Sequence, residues 1–161
     1  MIDFVARLLW RAEPILSEAE PGDAPAFAML HDAAFRRGWS EDEFERLLTE
    51  RTVVAHRAMA GRKPVGFILS RLAAGEAEIL SVVVAAPRQG RGLAGRLLDL
   101  HLRRLAGLGV KTLFLEVDED NTPARRLYAR AGFREVGVRP AYYPSAAGQA
   151  SAALVLRRDL A

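Results

Sequence analysis

One α/β or α+β domain is what the sequence predicts, and three observations predict it. Short apolar runs bounded by glycine and proline recur from residue 52 onward and read as strands. Leu93, Leu97, Leu100, Leu105 and Leu108 return at helical spacing, which marks a helix with one broad face buried on a sheet. Between the apolar run 79–85 and that helix stands Gln89-Gly90-Arg91-Gly92-Leu93-Ala94, so strand, tight turn and helix start follow in succession. Periodicity assigns these elements but not the order of the strands.

The chain has 161 residues, half of them hydrophobic, which is enough for one core and too little to favour two. Residues 1–13 read as an N-terminal extension and 14–161 as the domain. The extension is rather apolar, but its longest uncharged run is too short for a signal sequence or a membrane span. Residues 15–18 form a short first strand, and Pro21, Gly22 and Pro25 mark a turn into a helix running to about Phe35. Ser40, with Glu43 three residues on, makes a capping box for a second helix carrying Phe44, Leu47 and Leu48. Residues 52–59 and 65–72 form a hairpin around Gly61, and 76–85 is the next strand, apolar enough at its end to be central. The leucine helix stops at Gly107 and Gly109, and 111–117 is a second central strand. Thr122 and Pro123 open a short helix that ends at Gly132. Residues 133–138 and 152–156 complete the strands.

Composition narrows the chemistry. There is no cysteine, which removes disulfides, thiolate metal sites and a cysteine nucleophile together, and points to a cytoplasmic location. The formal net charge is only +3, yet Arg88, Arg91, Arg96, Arg103, Arg104 and Lys111 surround the glycine turn, with Asp99 the sole acid between residues 88 and 111. Such a field attracts a multiply charged anion. The turn itself supplies the receptor: small residues let first-turn backbone N–H groups point outward at the positive end of the helix dipole. A Walker A loop is excluded, because Leu93-Ala94-Gly95-Arg96 follows where Lys-Ser/Thr is needed. A dinucleotide fold asks for an acid about 20 residues on, and Glu116 lies near that distance, so spacing alone leaves that fold open.

The wider pattern resembles the GNAT acyltransferase superfamily, whose acetyl-CoA signature Q/R-x-x-G-x-G/A is filled by Gln89, Gly92 and Ala94. The resemblance continues through Leu113-Phe114-Leu115-Glu116-Val117, Asn121, Leu127-Tyr128, Ala131-Gly132-Phe133 and Tyr142-Tyr143-Pro144, and within the superfamily it is strongest to the RimI type, the ribosomal-protein-alanine N-acetyltransferases. It implies the GNAT acyl-CoA N-acyltransferase fold, a mixed sheet of six or seven strands flanked by about four helices. In that fold the two central strands splay to admit the pantetheine arm of acetyl-CoA. Two departures stand out. Pro87 comes one place later than in the family, and Gly148-Gln149-Ala150-Ser151-Ala152 replaces a more charged run.

Acetyl transfer to an amine needs a deprotonated nucleophile, a polarised carbonyl and a proton for the leaving thiolate. With no cysteine, direct attack in a ternary complex is the natural route. Glu116 is the candidate base: an acid in an apolar strand is costly unless it faces a polar cleft, and the resemblance places the base here. Pairing with an arginine is the purely structural role for the same carboxylate. Tyr128 is the candidate acid, since a phenol of pKa ~10 holds its proton at neutral pH, and the resemblance brings it to the thioester sulfur. Simple packing beside Leu127 is its alternative.

The resemblance gives the cofactor the backbone of Val82, Val83 and Val84, which would pair with pantetheine as an added strand does. The diphosphate falls to Gln89, Gly90, Arg91, Gly92, Leu93, Ala94 and Gly95, and Asn121 contacts the cofactor or caps the helix at Thr122. Trp39 borders the acceptor entrance or staples onto Phe44, and Tyr142 and Tyr143 shape the acceptor slot or form an aromatic edge. His101, within the leucine face, reads as a packed core residue.

The expected reaction is transfer of acetyl from acetyl-CoA to a primary amine, first the N-terminal α-amine of a protein such as a ribosomal protein. The alternatives are a small amine (polyamine, antibiotic or amino acid) and a non-enzymatic acyl-CoA-binding module. No metal, nucleic acid or membrane partner is expected, and the protein is read as a monomer or weak homodimer.

Overall fold

A computed structural model of the chain describes residues 12–140 and 151–160. Seven strands form one mixed sheet: β1 (Ile15–Glu18), β2 (Val53–Ala60), β3 (Lys63–Ala73), β4 (Glu76–Val84), β5 (Thr112–Asp118), β6 (Arg134–Arg139) and β7 (Ala153–Asp159). Among the described residues the helices are α1 (Ala24–Ala34), α2 (Glu41–Thr49), α3 (Leu93–Gly107) and α4 (Thr122–Arg130). The strand order is β1-β2-β3-β4-β5-β7-β6, antiparallel throughout except for the parallel pair β4/β5. This is the mixed GNAT sheet that the resemblance implies. β7 runs three residues beyond the expected end because Arg157, Arg158 and Asp159 continue the ladder opposite 112–114 of β5.

Each face of the sheet has its own core. Under α3 and α4 lie Ile68, Leu97, Leu98, Leu105, Leu113, Leu115, Tyr128 and Phe133. Under α1 and α2 lie Phe27, Phe44, Phe67, Leu69 and Val83, with Phe27 stacked on Phe67 at 4.3 Å between centroids. Helix α2 starts as its sequence dictates: Ser40 Oγ accepts from the Glu43 N–H at 3.2 Å, and Glu43 Oε2 accepts from the Ser40 N–H at 2.8 Å. Trp39, just before the cap, packs 5.5 Å from Phe44 and stacks on His31, which is the staple expected of it. The leucine face of α3 differs in detail. Leu98 and Leu102 are buried, whereas Leu108 is 44% exposed, because the helix ends at Gly107 and the chain turns away through Gly109 at φ 85°.

His101 is fully buried on that face, as a core residue, but it is not alone. Its Nδ1 lies 2.7 Å from His56 Nδ1 on β2, and its Nε2 lies 2.7 Å from Ser70 Oγ on β3. The three form a chain of hydrogen bonds between helix and sheet, with His101 in the middle.

The feature that positions the site is a bulge. Leu69 pairs with Ser81 and Ser70 with Ile79, so Leu80 is an extra residue in β4. The slip reverses which side chains face which core. Ala77 and Ile79 belong to the α3 side before the bulge, while Val82 and Val84 pack there after it and Val83 turns to the α1 side. At the same level the two central strands part. β4 and β5 pair only from Glu76 with Thr112 to Ile79 with Leu115, and beyond that β4 follows β3 alone and β5 follows β7 alone.

Candidate active site

The parted strands open onto a groove of about 910 Å³ between α3, α4 and the ends of β4 and β7. Its wall at β4 is Val82 and Val84, its floor Leu98 and Leu102 of α3, and its far side Asn121, Ala124, Leu127 and Tyr128 of α4. The β5-facing edge of β4 after Ile79 has no strand partner, so it offers backbone donors and acceptors to an extended ligand. Ser81, beside the bulge, is buried with an Oγ that meets no hydrogen-bond partner among the described residues.

At the mouth of the groove Gly90 and Gly92 take φ of 75° and 80°, the left-handed region where a Cβ is strained. Gly92 is the N-cap of α3 and has no side chain to cap it, so the N–H groups of Leu93, Ala94 and Gly95 are left for an anion. A Cβ at Gly92 meets no protein atom, so the space in front of those N–H groups is open. Gln89 does something the signature alone does not reveal: its Nε2 donates to the Val84 carbonyl at 3.0 Å and ties the loop to the end of β4. Gly92→Val is expected to raise the KM for acetyl-CoA at least about tenfold with kcat at saturation changed less, since backbone strain and blocked N–H groups act on phosphate binding. Initial rates across an acetyl-CoA titration check it, and an unchanged KM removes the loop from the diphosphate role.

Of the expected cofactor residues, Val82, Val84, Gln89, Gly90, Gly92, Leu93, Ala94, Gly95 and Asn121 line the groove. Arg91 is exposed outside its lining, and the side chain of Val83 belongs to the opposite core. Asn121 caps α4, its Oδ1 accepting from the Ala124 N–H at 3.2 Å, and borders the groove as well. Arg88 and Asp99, read from the sequence only as part of the charge field around the turn, also line it, as do Arg130 and Arg158, which sequence reasoning missed. Arg88 and Arg130 stand beside recognised motifs and were findable. Arg158 comes from β7 and donates to the Ala131 carbonyl, a juxtaposition that only the sheet order creates.

Tyr128 and Glu116 lie on opposite faces of the sheet. Tyr128 is buried at the groove, its ring edge-on to Phe133 at 5.6 Å, and burial pushes its phenol up to about 12. Glu116 falls one residue past the last β4/β5 pair, with its buried neighbours Leu115 and Val117 on the α3 side and its own carboxylate on the other. It does not sit in a desolvated pocket. Its side chain is 36% exposed and pairs with Arg139 at 2.9 Å, so the structural role weighed for it is present. Trp39 lies on the Glu116 face of the sheet, bordering a smaller hollow of about 250 Å³ with Glu43, Arg46, Leu47, Arg71 and the bulge residue Leu80. Trp39 thus has both its structural contact and an open edge. Tyr142 and Tyr143 lie outside the described residues. Among the described residues no three His, Asp or Glu side chains gather as a metal site, and no helix is long and apolar enough to cross a membrane.

The features fit acetyl-CoA: a glycine cradle for diphosphate, an unpaired strand edge for the amides of pantetheine, and a slot for the acyl end. Comparison with known proteins agrees. The profile of the acetyltransferase (GNAT) family matches residues 8–133. The [ribosomal protein bS18]-alanine N-acetyltransferase of Escherichia coli K12 is 31% identical over 140 residues, 87% of this chain and 94% of that protein. Its Haemophilus influenzae counterpart is 30% identical over 142 residues, 88% and 96% of the two chains. The crystal structure of the Escherichia coli ribosomal-protein-S18-alanine N-acetyltransferase superposes with TM-score 0.84 at 28% identity, over 92% of this chain and 94% of that one. Arabidopsis thaliana NAA60 in complex with acetyl-CoA shares the fold, with TM-score 0.81 at 19% identity over 91% and 98% of the two chains. The chain belongs to the acetyltransferase (GNAT) family and is an acetyl-CoA-dependent N-acetyltransferase.

Proposed function

We infer that the protein acetylates the N-terminal α-amine of a protein, a ribosomal protein of the kind its bacterial relatives are named for, by direct attack within a ternary complex. The observation that carries this reading is the parting of β4 and β5 after Ile79 and Leu115. Past that point no β4/β5 pairing separates the cofactor groove and Tyr128 on the α3 side from Glu116 on the α1 side. Donor and acceptor therefore approach from opposite faces and need not compete for space. When bound, acetyl-CoA supplies an activated acetyl group. Glu116 takes one proton from the acceptor ammonium, the freed amine forms a C–N bond as the C–S bond breaks, the Tyr128 hydroxyl gives its proton to the departing sulfur, and the second proton shed by the nitrogen restores the phenol.

The acceptor class follows from acidity. An α-amine has pKa ~7.7–8.0 and a lysine ~10.4, so a single exposed carboxylate suffices for the first and labours at the second. Every group in this reading comes from one copy of the chain, which suits a monomer.

The test is thiol release from acetyl-CoA with a panel of N-terminal peptides, including alanine-starting ribosomal sequences, beside lysine peptides, polyamines, aminoglycosides and free amino acids. Turnover with alanine-starting peptides and little with the others is the expected result. Turnover confined to small amines would transfer the protein to that acceptor class with the same cofactor chemistry. Tight cofactor binding without turnover on any amine would leave only an acyl-CoA-binding module.

A further inference from the structure

Glu116 is reached by an arginine from two strands away. Arg139 is the last residue of β6, an edge strand, and β7 lies between it and β5. The register places Arg139 opposite Ala153 and Ala153 opposite Asp118, with Gly137, Val155 and Glu116 forming the next row. Directly opposed residues share one face of a sheet, so all of these project on the side away from α3. The carboxylate in the row of Arg139 is that of Asp118. The arginine passes it by and pairs with Glu116, Nη2 to Oε1 at 2.9 Å.

Two features explain this choice. Asp118 is already engaged, its Oδ1 accepting from the Asp120 N–H at 2.9 Å and its Oδ2 from the Ser151 hydroxyl at 2.7 Å. The path to Glu116 is also low: Gly137 has no side chain and Ala153 only a methyl, so a long side chain can lie across β7. The other cation on this face near Glu116, Arg157, lies over the Phe114 ring at 5.6 Å and pairs with Asp159 at 3.0 Å. Glu116 is left to Arg139, and its second oxygen has no partner among the described residues.

We propose that Arg139 is a positioning residue for transfer: by holding Oε1 of Glu116 it presents Oε2 to the incoming amine. This rests on the reading of Glu116 as the base. A glutamate on an open sheet face is free to rotate about three bonds, and each wrong rotamer withdraws the base from the slot. The pair contributes little to folding, because with side chains 62% and 36% exposed it is screened by water. Its value therefore lies in geometry. Asp118 acts one step further back, since its own occupied oxygens leave the arginine no nearer partner.

The experiment is a double-mutant cycle in thiol release with acetyl-CoA and an alanine-starting peptide, using Arg139→Ala, Glu116→Gln and the pair, beside Arg139→Lys. Arg139→Ala is expected to lower kcat by roughly ten- to a hundredfold, with the KM for acetyl-CoA and the melting temperature unchanged. Arg139→Lys, which keeps the charge and loses the planar fork, recovers part of it. In the Glu116→Gln background the loss of Arg139 is expected to cost nothing further. A full additional loss in that background overturns the proposal, since Arg139 would then act without Glu116. An undiminished kcat for Arg139→Ala beside a defective Glu116→Gln also overturns it, while leaving Glu116 as the base. Wild-type turnover for Glu116→Gln removes the base and its arginine together.

Discussion

Tyr128→Phe is expected to lower kcat by about 10²- to 10³-fold, the usual worth of a positioned general acid, with acetyl-CoA affinity and folding nearly unchanged. The substitution isolates the proton. The Tyr128 hydroxyl makes no hydrogen bond among the described residues, so removing its oxygen strands no partner, and the ring keeps its edge contact with Phe133. Burial holds the phenol at about 12, because the phenolate cannot be solvated where the groove narrows. The group is thus protonated through the whole neutral range and imposes no alkaline limb on activity below about pH 10. Burial also makes it a weaker acid in isolation. The departing thiolate enters the same apolar surroundings, which raise its proton affinity too, so the two stay matched and the hydrogen bond strengthens as charge builds on sulfur. Steady-state kinetics with a binding titration of acetyl-CoA check this. Equal turnover in the two proteins would leave Tyr128 a packing residue beside Leu127.

Acid is expected to unfold the protein well before its carboxylates titrate. Burial, and next the neighbouring His56, push His101 down to about 3 from an ordinary value of 6.5. Burial also lowers His56, with Glu18 partly opposing and Arg104 reinforcing, and it lowers His31. Burial is why a proton is unwelcome, and the bonded chain adds to it: His56, His101 and Ser70 are satisfied with both rings neutral, and charging both rings would force two N–H groups to face each other at 2.7 Å. Between pH 6.5 and the folded value the unfolded chain binds more protons, so stability is complete above pH 6.5 and declines as pH falls below it. The His101 contribution at full expression is roughly 5 kcal/mol, a large part of what a domain of this size has to lose. Urea midpoints at pH 7.5 and pH 5 measure it. Identical midpoints would mean that the rings are solvated or free to part.

The sequence made the elements legible wherever punctuation was local. Ser40 with Glu43, Gly92 before Leu93, and Pro123 before Leu127 each carry their own stop or start signal, and each marks a boundary found in the fold. The glycine turn with its uncapped helix start was legible for the same reason. What stayed hidden depends on residues far apart in the chain. The bulge at Leu80 leaves no trace in the apolar run Ile79-Leu80-Ser81-Val82-Val83-Val84, since every residue there suits either face. His56 and Ser70 gave no sign that they would meet His101, because a pairing across 45 and 31 positions is fixed by the sheet and helix together. Glu116 was singled out by its apolar neighbours, and the same alternation accounts for its exposure: Leu115 and Val117 go inward, and the carboxylate therefore goes out. Arg139 was invisible for want of the β5-β7-β6 order.

That order also governs when the molecule can finish itself. β6 is made before β7, yet among the described residues β7 is the only strand it pairs with, and β7 must slide between β5 and β6 to bond with both. Until it does, β5 has only its short parallel seam to β4, and the arginine and glutamate on either side have no common surface on which to meet. The glycine loop, by contrast, is assembled from β4 and α3, which are consecutive in the chain. A growing chain therefore builds that loop early, and completes both the groove, through Arg158, and the opposite surface of the sheet in one late, long-range event. A partly made or nicked molecule lacking β7 retains the glycine loop but not the surface on which Arg139 meets Glu116.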